Sequence, residues 1–561
     1  MSVGFALALC STSSADTLHV PADYATIQGA INAASDGDTI SIAAAIYFEF
    51  EVDTSGKAIT IRGATHPDGS PAVTIDGGFQ GTLLLCESGE GPDTVFQNLI
   101  VTKGDSTTGG GMSMNGTSPT LSNCVFTNNR ASSAGCGIHI TASSPTFLSC
   151  QFVDNTDTST TGGGIYSHMS ELTLTDCVFT DNLVYGSGGA IASYLGSITL
   201  EECVFLRNRS YEGSGGAISS GGSDLSFTNC EFKENHGYDG GGGVSCSGGS
   251  VVMASCLFAN NQSNGDNALG FGQGGGLRTV SNDPTLTNCT FTGNLSPHVE
   301  GGGLFSFASH PTLTNCTFSG NVTGTTGGAI YIELGSPTLK DCTIRGNTAA
   351  LGGGIYNDAG SLSLEDCTIC GNTPDQLHEV GGSSYVGLGV NLITNDCAPF
   401  ADPGTTFCFG DGGGTPCPCG NNGQSTGGCL NSTGRQGYLR ASGDPSLWDD
   451  SIVLRAEGLV PNLPCLFFSG TNAINGGMGV SFGDGLRCVG GAAVRIQTTV
   501  SDATGVATTT NMVSTSGQSG GATISPSDVL NYQCWFREGS AGGPCGNSHN
   551  LSNGVSITWG L

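Results

Sequence analysis

Between about residues 120 and 372 the apolar positions recur in blocks, not along one continuous helical or strand period. Each block reads Cys-x-Phe-x-x-Asn, a variable polar stretch, Gly-Gly-Gly/Ala, and then Ile, Leu or Val. The cysteines are Cys124, Cys150, Cys177, Cys203, Cys230, Cys256, Cys289, Cys316, Cys342 and Cys367, spaced 25 to 33 residues apart. Phe126, Phe152, Phe179, Phe205, Phe232, Phe258, Phe291 and Phe318 stand two places later, and Ile344 and Ile369 close that column. Three places further come ten asparagines, from Asn129 and Asn155 to Asn347 and Asn372. Cys and Phe two apart share one face of a strand. A second strand opens at Ile138, Ile165, Ile191, Ile218, Val244, Leu277, Leu304, Ile330 and Ile355. A third carries Leu286, Leu313, Leu339 and Leu364, whose three-residue offset from the Cys breaks alternation and predicts a corner. One block is too thin to bury a core, whereas stacked blocks bury Phe on Phe and let each Asn amide bond its neighbour. The pattern predicts a parallel β-helix; about twelve coils at ~4.8 Å each make a rod of roughly 60 Å.

Such a stack needs closed ends, because its open edges would pair with other chains. Ile27, Ala30, Ile31 and Ala34 lie at helical spacing, beginning near Asp23 or Tyr24 and ending at Asp36-Gly37-Asp38. This predicts an amphipathic helix over the N-terminal end, with strands following at Thr39–Ile42, Ala58–Ile61 and Val73–Ile75. After about Pro403 the repeat stops. Residues 401–561 then read as a separate β domain, with strand-like runs at Ser451–Ala456, Leu466–Ser469, Ala493–Gln497, Tyr532–Arg537 and Val555–Trp559. Its cysteines are Cys408, Cys417, Cys419, Cys429, Cys465, Cys488, Cys534 and Cys545, an even set expected to form disulfides in one of 105 pairings.

The stretch Val20-Pro21-Ala22-Asp23-Tyr24-Ala25-Thr26-Ile27-Gln28, continuing to Ile59-Thr60-Ile61-Arg62-Gly63, resembles the opening of pectate-lyase-like right-handed β-helix proteins. Gly189-Ala190-Ile191 with Phe205 to Asn208 resembles the repeats of polymorphic outer-membrane proteins. The two resemblances cover residues 18–400 and imply the right-handed fold without implying a reaction. The tail resembles a module found on secreted bacterial repeat proteins. It is too short and too rich in Cys to be the membrane barrel of an autotransporter.

Composition narrows the functional classes. The chain carries 16 Lys+Arg against 46 Asp+Glu, a net charge of −30, which excludes a nucleic-acid binder that must neutralise phosphates. No apolar run reaches the ~18 residues of a transmembrane helix. Val3 to Leu9 is apolar and Ser13-Ser14-Ala15 is small, so residues 1–15 read as an export signal lacking a basic start. With the tail cysteines, this places the protein outside the cytoplasm, secreted or at the cell surface or outer membrane.

Chemistry is sparser than scaffold. Inward cysteines pack as small hydrophobes, and no metal set is expected. A β-helix hydrolase needs paired carboxylates, and a lyase needs a base plus carboxylates that hold Ca²⁺ against a uronate. The outward slots between Cys and Phe hold one carboxylate, Glu231, in ten coils. The residues before four consecutive ladder asparagines are Asp154, Asp181, Arg207 and Glu234; they form a lyase-like set, or more plainly suit a turn. Phe305, Tyr331 and Tyr356 follow the Leu/Ile column on consecutive coils, as a row of rings that could stack on sugars or simply suit a pleated surface. The expectation is a non-catalytic protein binding a polysaccharide or other cell-surface polymer, needing no cofactor. The alternative is a polysaccharide lyase or hydrolase, with Ca²⁺ in the lyase case only.

Overall fold

The computed structural model describes residues 15–560, apart from 158–160, 266–271, 389–390, 395–403, 413, 424–426, 443–444, 446–451, 510–523, 526 and 540–541. The expected export segment lies outside the described residues but for Ala15. The chain divides into two compact units, Met1–Asp396 and Cys397–Leu561.

The first unit is a parallel β-solenoid whose main sheets have fifteen, fourteen and thirteen strands, about fourteen turns where the repeat predicts twelve. The early turns escape the motif because Leu99 and Val101 hold the places that Cys and Phe take later, with Ile75 in register below Val101. In each full turn a strand of the Leu sheet (Thr146–Leu148) meets a strand of the Phe sheet (Gln151–Val153). A short polar strand and the glycines follow, and then the glycine-led sheet (Ile165–His168). The predicted corner is the residue before each Cys, which is left-handed, as at Ser149 (φ 51°) and Asn288 (φ 54°).

Inside, the columns stack as the spacing requires. The rings from Phe152 to Phe318 lie 4.5–4.9 Å apart and nearly parallel. Each ladder asparagine is fully satisfied. The Asn208 Nδ2 donates to Phe179 O and to Asn235 Oδ1, while its Oδ1 accepts from Asn182 N and Nδ2. The ladder ends where Gln376 Oε1 accepts from Asn372 Nδ2 and N.

The helix Ile27–Ala33 covers the N-terminal end, burying Ile27, Ala30 and Ile31. It begins later than Asp23 or Tyr24: Thr26 is its N-cap, accepting from Gly29 N at 3.0 Å, while Asp23 closes the preceding turn by accepting from His19 N. The Glu49 carboxylate accepts from Ile27 N and Gln28 N, and Lys57 Nζ donates to three carbonyls at the other end, each charge matching the helix dipole.

The second unit holds a five-stranded antiparallel sheet built on Pro464–Gly470, Val529–Arg537 and His549–Thr558, with a three-stranded sheet beside it. Strands Gly404–Phe407, Tyr438–Ser442 and Ala507–Thr508 are additional to those expected. Six of the eight tail cysteines are bridged, as Cys408–Cys488, Cys417–Cys429 and Cys419–Cys545. Cys465 and Cys534 depart from the expectation. They remain thiols, buried among Phe467, Tyr532 and Phe536 on the core face.

Candidate functional site

Asp154, Asp181, Arg207 and Glu234 all occupy one left-handed backbone position, with φ between 52° and 56°. The same column is Asn128 and Asn260 at its flanks, and then Gly293, Gly320, Gly346 and Gly371, also left-handed. Asn, Asp and Gly are the residues that tolerate this conformation, so the turn accounts for the two aspartates. Arg207 closes a two-pronged pair on Asp181, with Nε to Oδ1 and Nη2 to Oδ2 both at 2.8 Å. Asp154 and Glu234 lie exposed on either side of this pair.

The predicted ring row exists, and it is tightly packed. Phe305 and Tyr331 stack at 5.2 Å, Tyr331 and Tyr356 at 5.3 Å, and Tyr356 and His378 at 5.2 Å. Both faces of Tyr331 are therefore taken by neighbours, and Phe305 and Tyr331 are only 4% and 8% exposed. The glycine before each strand runs close beneath these residues, since a Cβ on Gly301 would stand 2.9 Å from Phe305 Cβ and one on Gly327 2.8 Å from Tyr331 Cβ. Tyr356 is half-buried. Beside the row, Glu333 and Asp358 are in-register neighbours. Burial pushes the Glu333 carboxyl above its usual range, a hydrogen bond from the Tyr331 hydroxyl opposes this, and Asp358 adds to it.

A more open ring cluster stands on the same outer face, five register steps toward the N-terminus, about 24 Å along the rod. His139 and Tyr166 stack at 5.2 Å, and Tyr166 meets Tyr194 at 5.9 Å with a 43° tilt. Tyr166, His168 and Tyr194 line an open cleft of about 640 Å³ with Ser133, Thr161 and Gly221. Gly221 makes the room, since a Cβ there would meet the Tyr194 ring at 3.0 Å. Burial pulls the His139 imidazole below its ordinary range, with Glu87 opposing and His168 adding to the effect. Burial, with Tyr166 adding to it, raises the Tyr194 phenol. The cleft thus presents the Tyr166 ring, the His168 imidazole and a Tyr194 phenol held toward its protonated form, while His139 stacks on Tyr166 and is not part of the lining. These are hydrogen-bonding groups beside ring faces, suited to hydroxyl-rich ligands. Sequence reading misses the cluster because its members alternate between the second and fourth strand positions. Only the register Tyr166↔Ala192 and His168↔Tyr194, with a small residue beside a large one, opens the cleft.

The profile of the family described as "Right handed beta helix region" matches residues 72–232, 110–274 and 216–396, together more than half of the chain. Among curated proteins none matches the sequence. Solved structures that resemble it include the Siphovirus 9NA tailspike receptor binding domain, at 10% identity, covering 79% of this chain and 86% of that one, with a TM-score of 0.23. The Azotobacter vinelandii mannuronan C-5 epimerase AlgE4 A-module is 11% identical, over 66% of this chain and 95% of its own, with a TM-score of 0.17. Geobacillus virus E2 ORF18 is 10% identical, over 84% and 72%, with a TM-score of 0.18. Likeness at this level carries no functional information.

Proposed function

We propose, for a chain that belongs to the right-handed β-helix family, that the outer face of the glycine-led sheet binds an extended glycan or similar hydroxyl-rich surface polymer without cleaving it. The observation that carries this is the open cleft of Tyr166, His168 and Tyr194, with ring faces and hydrogen-bonding groups side by side. The row of Phe305, Tyr331 and Tyr356 extends the same face and ends at the half-buried His378, which stacks on Tyr356. The three tail disulfides support export, because such bonds persist in oxidising compartments.

A second reading, a polysaccharide hydrolase, is favoured by one feature. Glu333 is held toward its protonated form beside Asp358, and acid–base pairs work through carboxyls whose environments differ in this way. The lyase reading on Asp154, Asp181, Arg207 and Glu234, with Ca²⁺, has less support, because the Arg207 fork already closes on Asp181.

A polysaccharide array separates the readings when scored for retention and for released products, with and without Ca²⁺. Binding predicts retention without products. Reducing ends lost in Glu333→Gln would establish the hydrolase, and unsaturated uronates lost in Arg207→Ala the lyase.

A further inference from the structure

The second unit carries a cleft that the β-helix face does not explain. The strand Pro464–Gly470 turns Cys465 and Phe467 into the core, and Leu466 and Phe468 to the other face. Register places Trp535 opposite Leu466, so these side chains share that outer face. The hairpin Val480–Phe482 with Gly485–Arg487 stands over it, adding Phe482 and Arg487. Its base is tied by the Cys408–Cys488 bridge. Between sheet and hairpin lies a cleft of about 530 Å³, within the ordinary range for a small-molecule site.

Its charge runs against that of the chain. In a protein of net charge −30, two guanidinium groups, Arg487 and Arg495, line this one cleft, and no lining side chain carries a carboxylate. Three arginines elsewhere are paired with acids, Arg207 with Asp181 and Arg440 and Arg455 with Glu457, while Arg62 and Arg435 bond an amide and a carbonyl. Among the described residues neither Arg487 nor Arg495 forms an ion pair. Arg487 is anchored instead, its Nε donating to Val489 O at 3.1 Å. Arg495 reaches the cleft through a register shift. Phe467 lies opposite Gln497, yet Phe468 lies opposite Arg495, so the sheet skips Ile496, which is buried. Bulges of this kind re-aim side chains next to sites.

We propose that this cleft binds a small amphipathic carboxylate with a flat aromatic or apolar body. The guanidinium forks match a carboxylate, and Phe468, Phe482 and Trp535 take the body. Thr498 is the one hydroxyl on the lining, too few polar partners for a sugar, and the apolar walls do not suit an oligophosphate.

Isothermal titration of the full chain with naphthoate and its neutral twin naphthamide tests this. Naphthoate should bind at least about tenfold more tightly, and Arg487→Gln/Arg495→Gln should bring the two ligands to equal affinity. Retained naphthamide binding in the double variant shows that the cleft is intact. Should that binding be lost, Arg495→Gln alone, at an exposed position, must still narrow the ratio. Equal affinities in the native chain, no binding of either ligand, or discrimination that survives these changes would overturn the proposal.

Discussion

Asn208 shows how much one ladder side chain holds. Its amide engages Asn182 N, Asn182 Nδ2, Phe179 O and Asn235 Oδ1, and all of these groups are buried in the wall of the rod. Asn208→Ala strands four polar groups at once, at roughly 1–3 kcal/mol for each one that cannot relax. A loss of about 3–5 kcal/mol is expected, read as lower protection of the flanking amides in hydrogen exchange. Asn208→Asp keeps the shape and an acceptor but removes both Nδ2 donors, and it should be nearly as damaging. Stability unchanged in both variants would show that the ladder is decoration. The ladder was legible in the sequence because each coil repeats it at one offset from the Cys. Other residue-scale facts were not. Phe305 and Tyr331 are buried whereas Tyr356 in the same column is half-buried, a difference that the strand pattern does not carry.

At the level of the element, the three glycines of a block have different reasons to be there. Gly162 is left-handed at φ 72°, and a Cβ on it would stand 2.5 Å from Ile165 O. Gly163 would press on Gly189 O of the next coil at 2.3 Å. Gly164 is the least crowded of the three, a Cβ there meeting Ala190 O and the Phe179 ring at 2.9 Å, and its column holds Ala190, Ala217 and Ala329 on other coils. Gly162→Ala should therefore destabilise by at least ~1–3 kcal/mol, and Gly164→Ala should lower the melting temperature by clearly less. Equal effects would remove the distinction. The capping helix was likewise visible as a pattern, in Ile27, Ala30 and Ile31. Its start was misplaced because Asp23 and Thr26 are both good caps, and only the contacts show that Asp23 serves the turn before it.

For the molecule as a whole, fold and site were legible to different degrees. Stacking repeats every column, so the β-helix announces itself, and the undercount of turns falls where the Cys and Phe signals are replaced, by Leu99 and Val101 early on and in the last turn, Leu377–Val380 to Leu392–Thr394. The cleft of Tyr166, His168 and Tyr194 has no such repetition. It exists once, where rings from different columns meet across coils beside Gly221, and a reading of single coils finds only scattered histidines and tyrosines. The same limit hid the Arg487–Arg495 cleft, which depends on a skipped residue in one strand pairing. The central claim, that the outer face of the glycine-led sheet is a ring-lined binding face, is tested most directly by measuring the affinity of the retained glycan for a variant series. Tyr166→Ala/Tyr194→Ala should weaken binding by about tenfold or more, and Arg207→Ala should leave it unchanged. Tyr331→Ala, whose ring faces are already taken, should weaken it less than the cleft pair does. Undiminished affinity in Tyr166→Ala/Tyr194→Ala, with loss in Arg207→Ala, would contradict the account.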